Sequence, residues 1–228
     1  SSGQDYAETT GYSPMPLPDG SGFSAVRVIT PDPNYGAEAT IPPVWRYGWD
    51  GTPVTAMIDT RRVGYYAWVN DQQAVMFIVD EVAQRNAHYA VLVDRETGKS
   101  ARLTDKPGRS FGRTPDGKRA TFVDQSDPKH WVIAAMGIDD TKPTVLVETI
   151  VGAADEKDRD RSQYYCWLPD GSILMANGGK FFRWDGNPGN GFKLFADPGD
   201  VGGAIRNIAV SRDGSQLVFS VQRAVKNP

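Results

Sequence analysis

Few side chains in this sequence could carry covalent or acid–base chemistry: one cysteine, Cys166, two histidines, His88 and His130, and Ser13 next to a glycine motif. A hydrolase serine sits in Gly-x-Ser-x-Gly on a strand-to-helix turn. The stretch Gly11-Tyr12-Ser13-Pro14-Met15 lacks the second glycine and any helical pattern after it, so Ser13 reads as structural. His88 and His130 open two similar apolar stretches, 88–92 and 130–134. Such a recurrence places them at a rim or in packing. Cys166 lies in the alternating stretch 164–168, where a small buried thiol fits an inner strand; a nucleophilic thiol would need a neighbouring base. One cysteine cannot close an internal disulfide, and two histidines with one cysteine are too few for a zinc site. No catalytic residue, cofactor or metal is assigned.

The acidic run Asp155 to Arg161 has no glycine at the sixth place and no glutamate at the twelfth, so it does not match a calcium-binding loop of the EF-hand type. Its interleaved signs read as a solvated loop. A different recurrence is more suggestive. Arg62, Arg109, Arg161 and Arg206 stand seven to nine residues before the aspartate of a tight turn, whereas the remaining stretch of this kind has Thr9 or Thr10. A guanidinium offers a planar fork of donors that suits a carboxylate. The plain alternative is that these arginines stay solvated at loop ends. Tyr65 and Tyr164, close by in sequence, are candidate aromatic contacts, while Trp68 and Trp167, three residues before their turns, read as packing anchors.

These residues are positioned by a repeated strand, turn and strand. Asp19-Gly20, Asp71-Gln72, Asp116-Gly117, Asp170-Gly171 and Asp213-Gly214 mark five turns at spacings of 52, 45, 54 and 43 residues. Aspartate followed by glycine supplies the positive φ of a tight hairpin, and Pro18, Pro115 and Pro169 preset the residue before it. Gly186 belongs to a longer loop, outside this set. A second strand pair follows each of the first four hairpins: 44–47 with 53–58, 89–93 with 100–103, 131–136 with 144–147, and 181–184 with 192–195. Four strands in about 45 residues is one propeller blade. The expected fold is an all-β β-propeller of four-stranded antiparallel blades, in units of about 12–59, 63–104, 109–149, 162–196 and 205–222, the last one incomplete. Residues 1–11 are read as an N-terminal extension and 12–228 as the propeller domain.

The units Leu17-Pro18-Asp19-Gly20, Thr114-Pro115-Asp116-Gly117, Leu168-Pro169-Asp170-Gly171 and Ser211-Arg212-Asp213-Gly214, with the stretch 93–104, resemble TolB-like (WD-like) β-propeller repeats of bacterial exported proteins. The resemblance covers roughly residues 11–222 and is specific for architecture rather than function. It implies a six-bladed ring closed by N-terminal outer strands joining a C-terminal inner hairpin. Here the last unit stops after two strands, so the chain reads either as a five-bladed ring with an incomplete blade or, as we expect, an N-terminally truncated six-bladed member.

Composition excludes several classes. With 228 residues, 39% hydrophobic, the chain is no disordered segment, and a formal net charge of −3 gives no basic footprint for nucleic acid. The longest apolar runs, such as 74–79 and 132–136, are far shorter than the roughly 20 residues of a membrane span. No signal-peptide pattern opens the sequence, so any export signal is expected to have been removed before this numbering begins. The long polar links at 30–43, 80–87 and 151–161 fall on one face of the blades, and scaffolds place binding on such loops. On that face the four arginines would ring a channel mouth. The expected function is a non-enzymatic, periplasmic or otherwise exported platform for a protein or peptide partner, with an acidic partner suiting the arginines, acting as a monomer. The alternatives are the propeller portion of a larger prolyl-oligopeptidase-like serine peptidase, or a propeller binding a small ligand or sugar.

Overall fold

A computed structural model describes residues 9–29, 44–60, 62–79, 88–150 and 163–223. The chain divides into two units, Ser1–Asp105 and Lys106–Pro228. In the first, β1 (Thr9–Pro16), β2 (Phe23–Ile29), β3 (Val44–Tyr47) and β4 (Pro53–Ile58) form one antiparallel sheet in sequence order, and β5 (Val63–Trp68), β6 (Gln73–Ile78), β7 (Tyr89–Asp94) and β8 (Ser100–Thr104) form another. In the second, β9 (Pro107–Arg113), β10 (Ala120–Asp124), β11 (Val132–Met136) and β12 (Thr144–Glu148) make a third sheet. β13 (Tyr165–Trp167), β14 (Ile173–Asn177), β15 (Lys180–Trp184) and β16 (Lys193–Ala196) make a fourth, and β17 (Ala204–Val210) with β18 (Leu217–Gln222) a hairpin. Four complete blades and one half blade are the units expected from the repeat, and the fold class is the all-β propeller. The first blade begins earlier than expected, since Thr9 already pairs with Ile29 inside the stretch assigned to an extension. A register shift between Tyr12 and Met15 permits this, with Ser13 at φ 52°. Among the described residues no helix is long and apolar enough to cross a membrane.

The turns form as their residues require. Gly20, Gly117, Gly171 and Gly214 take φ between 67° and 81°, a region costly for a residue with a Cβ. The aspartate before each glycine holds the turn through its side chain. Asp170 Oδ1 accepts from the Ser172 N–H at 3.0 Å and hydroxyl at 2.6 Å, and Asp19 does the same with Ser21. The turn after β5 has no glycine, and there Asn70 rather than Asp71 accepts from the N–H groups of Gln72 and Gln73, both at 2.9 Å.

Apolar period then sets the core. In β14, Ile173 and Met175 pack with Val123, Ile133 and Trp184, while Leu174 and Ala176 pack on the other face with Ile205 and Ile208. Burial on both faces explains the continuous apolar run; each such side chain contributes roughly 1.5–3 kcal/mol. Adjacent blades within a unit are joined by a polar clasp. In the first unit Ser24, fully buried, accepts from Tyr66 OH at 2.7 Å and Trp68 Nε1 at 2.8 Å, and donates to the Met15 carbonyl at 3.2 Å. In the second, Thr121 accepts from Tyr165 OH at 2.9 Å and Trp167 Nε1 at 3.1 Å. The tryptophans are anchors, as expected.

Two outcomes test these statements. Gly171→Val should lower stability by about 1–3 kcal/mol through backbone strain, because an added Cβ there meets only Pro115 at 3.7 Å. Gly186 cannot serve as the contrast, since its φ is also positive at 86°; Gly191 has open space and no left-handed φ. Equal melting of Gly171→Val and Gly191→Val would contradict the turn argument. Thr121→Val keeps the shape but strands two donors, each at a cost of about 1–3 kcal/mol when buried. Urea titration should show that loss, and Thr121→Ser should restore most of it.

Candidate functional site

The described residues place three of the four recurring arginines. Arg62 stands just before β5 in the first unit, half-buried, at φ 62°. In the second unit Arg109 is exposed on β9. Arg206, on β17, lies over the Tyr164 ring at 5.2 Å and donates from Nε to Gln222 Oε1 at 3.1 Å. The predicted arginine and the predicted aromatic contact therefore meet there, Arg206 on β17 and Tyr164 just before β13. Tyr65 is occupied otherwise: it stacks on its cross-strand partner Phe77 with ring centroids 4.6 Å apart. Arg161 and the acidic run around it lie outside the described residues, as do the linking stretches 30–43, 80–87 and 151–161.

The residues weighed for catalysis have structural surroundings. Ser13 sits at the β1 register shift, within a strand rather than at a strand-to-helix elbow. His130 Nδ1 lies 2.8 Å from Glu148 Oε1 on an exposed surface. The His88 ring packs at 5.2 Å from Phe77. Cys166 packs with Leu174, Ile205 and Ile208, and burial pushes its thiol up to about 12. A thiol so placed stays protonated and unreactive at neutral pH. Among the described residues no group of three or more His, Cys, Asp or Glu is disposed to hold a metal ion.

A feature not anticipated from the sequence lies in the first unit, at the end where the hairpin turns are. A cleft of about 380 Å³ is lined by Arg46 of β3, Thr55, Ala56 and Met57 of β4, and Gln72, Arg95 and Glu96 from two turns of the second blade. A recess of about 50 Å³ shares Arg46, Met57 and Arg95 with it and reaches Asp19 and Trp68. Arg95 is tied to the neighbouring turn: its backbone N–H donates to the Gln72 carbonyl at 2.9 Å and its Nε to Gln72 Oε1 at 3.2 Å. The Asp19 carboxyl is held below the usual range first by the Ser21 hydroxyl and N–H, and further by the charges of Arg46 and Arg95. Arg46 and Arg95 are far apart in sequence, and only the blade packing joins them. The one signal available beforehand was that both fall in the short-turn half of their blades.

No family model matches the chain, and no curated protein matches it. Solved structures do. A putative TolB from Agrobacterium tumefaciens aligns at 19% identity over 95% of this chain and 71% of its own, with a TM-score of 0.62. TolB from Acinetobacter baumannii aligns at 15% identity over 98% of this chain, with a TM-score of 0.50, and here the chain spans about half of its relative, 49%. An oligogalacturonate lyase in complex with manganese aligns at 10% identity over 93% of this chain and 62% of its own, with a TM-score of 0.64. These likenesses show the fold, a TolB-like β-propeller, and one of the proteins that share it, the lyase, is an enzyme.

The Cys166 environment generates a pH-dependent outcome. Because burial raises the thiol to about 12, the reactive thiolate fraction should grow about tenfold per pH unit from pH 7 to 10 with no plateau. Alkylation by iodoacetamide, followed by mass spectrometry, should be slow at pH 8 in the folded protein and fast after unfolding in urea. A plateau near pH 7 would mark an activated nucleophile instead.

Proposed function

We propose that this chain is a non-catalytic binding propeller that takes a protein or peptide partner carrying carboxylates, working as a monomer in the periplasm or another exported location. The observation that carries the reading is the meeting of Arg206 and Tyr164 in the second unit. A guanidinium lying on an aromatic ring and bonded to Gln222 is held in one orientation, so less side-chain freedom is lost when it pairs with a carboxylate fork. Exposed Arg109, one of the same recurring set, adds positive charge to that unit. An exported location is what the resemblance to TolB-like proteins implies, and the TolB structures among the fold neighbours support it.

The competing reading, an enzyme, draws on the lyase among the neighbours. Its weakness lies in the chemistry at hand: the one thiol is held protonated among apolar side chains, and Ser13 stands inside a strand. Calorimetry with a glutamate-rich peptide tests the binding reading. The double variant Arg109→Ala with Arg206→Ala should weaken binding at least about tenfold at low salt, equivalent to about 1.4 kcal/mol, and the difference should shrink as salt screens the charges. Unchanged affinity, or turnover of ester or peptide substrates that Ser13→Ala abolishes, would overturn it.

A further inference from the structure

The repeat supplies its own reference for the cleft in the first unit. Arg183 on β15 and Arg46 on β3 occupy the same place in their blades: Arg183 is opposite Leu174, and Arg46 opposite Ser24, on the second strand of each. In the fourth blade the arginine closes on its own turn. Arg183 Nε donates to Ser172 Oγ at 2.8 Å, and its Nη2 pairs with the Asp170 carboxylate, whose other oxygen holds Ser172. In the first blade the turn is built alike, with Ser21 Oγ donating to Asp19 Oδ1 at 2.6 Å. Yet Arg46 reaches only Ser21 Oγ, at 3.1 Å. Its Nε is shielded from water and meets no acceptor among the described residues. A donor closed to water is closed to a ligand oxygen of the same size, so the outer N–H groups of the guanidinium are the ones that an acceptor in the cleft can reach. Arg95 faces the same cleft, and no carboxylate among the described residues lies within ion-pair distance of either guanidinium.

From this contrast we infer that the cleft between the first two blades binds a single carboxylate of a peptide, its free C-terminus or an acidic side chain, between Arg46 and Arg95. Three features select that ligand. Two planar forks converge on one cleft, which suits a planar acceptor with two oxygens. Glu96 lines the same cleft, and Asp19 and Asp71 line the recess that shares both arginines, so the surrounding acidic groups disfavour a phosphate dianion more than a monoanion. The remaining wall, Thr55 to Met57 on the outer strand β4, is of mixed polarity, and about 380 Å³ lies at the small end of the usual range for ligand sites, about 300–1,000 Å³. A peptide end or side chain fits such a volume, whereas a folded surface does not.

The site goes beyond the contact proposed for the second unit and is independent of it, so variants separate the two. Titration calorimetry on the whole chain would use acetyl-alanyl-leucine with a free carboxylate, its C-terminal amide, an amidated acetyl peptide with one internal glutamate, and inorganic phosphate. The free acid, the internal glutamate peptide, or both should bind, and the amide of the first should not. Arg46→Gln and Arg95→Gln should each weaken binding about tenfold or more. Arg183→Gln, which removes the matching but closed arginine, should leave affinity unchanged. Should Arg46→Gln fail to fold, Arg95→Gln, on a turn, carries the same test. Acid and amide binding alike, no binding by either carboxylate probe at millimolar concentration, equal binding of phosphate, or unaltered affinity in Arg95→Gln would each overturn the assignment.

Discussion

A buried hydroxyl that accepts two hydrogen bonds is the interaction on which the first and second blades, and the third and fourth, depend for their register. Sheets stacked face to face bury apolar area without direction, so they can slide against one another at little cost. Ser24 and Thr121 remove that freedom. Each receives a tyrosine O–H and a tryptophan N–H from the next blade, and a serine hydroxyl that also donates, as Ser24 does to Met15, has used its whole capacity. Slipping the register by one residue would leave three polar groups buried without partners. Burial raises the ionisation of both tyrosines, which remain neutral donors at any ordinary pH. The contact between the fourth blade and the last hairpin uses Leu174 against Ile205 and Ile208 instead, so the polar clasp is a choice made at particular interfaces and not a demand of the fold.

Turns provide the second constraint. Asp213 shows its strength: two serine hydroxyls and an N–H hold its carboxyl at about 2, because hydrogen bonds to the charged form favour it. Once a turn aspartate is satisfied locally, an arginine on the third strand is not required to neutralise it. That leaves the arginine available for variation. In the fourth blade it joins the turn and completes a closed network; in the first it stops at the serine and leaves its charge facing a cleft. A repeated fold thus diversifies at positions its own turn chemistry has already made dispensable.

Much of this was legible in the sequence, for physical reasons. Aspartate with glycine requires a left-handed backbone, and the period of two marks the strands, so β3 and β4 appear at the expected residues and the turn glycines at the expected φ. What escaped depends on register and distance. Trp68 and Trp167 could be recognised as anchors, but the hydroxyls they meet lie 44 and 46 residues away, and a serine in a strand carries no signal of that role. Asn70 took over the second turn because an amide oxygen one residue earlier serves the same N–H groups. The earlier start of β1 rests on the conformation of Ser13, which no side-chain pattern announces. Of the recurring arginines, the sequence singled out Arg206 and, separately, Tyr164, but nothing in their spacing announced that the two would meet. It could not disclose Arg46 and Arg95, which share a cleft only after two blades pack.

Where a site can be added to such a scaffold follows from what each strand must do. In the four complete blades the second strands are buried on both sides, and a change such as a charge at Met76 or Met175, both fully buried, would cost more than any ligand contact could return. First strands supply the tyrosine and tryptophan donors of the clasp. Outer strands are freer: four of the six residues of β4, Pro53 to Ala56, are exposed, and β16 exposes three of its four. Substitutions there usually alter stability by less than about 0.5 kcal/mol. A cleft with one wall on an outer strand and the other on turn residues can therefore change its chemistry without loosening the blades, while β3 holds Arg46 and the turn after β7 holds Arg95. That division places binding at the periphery of this first unit, where variation is cheap, and stability in its buried hydroxyls, where it is not.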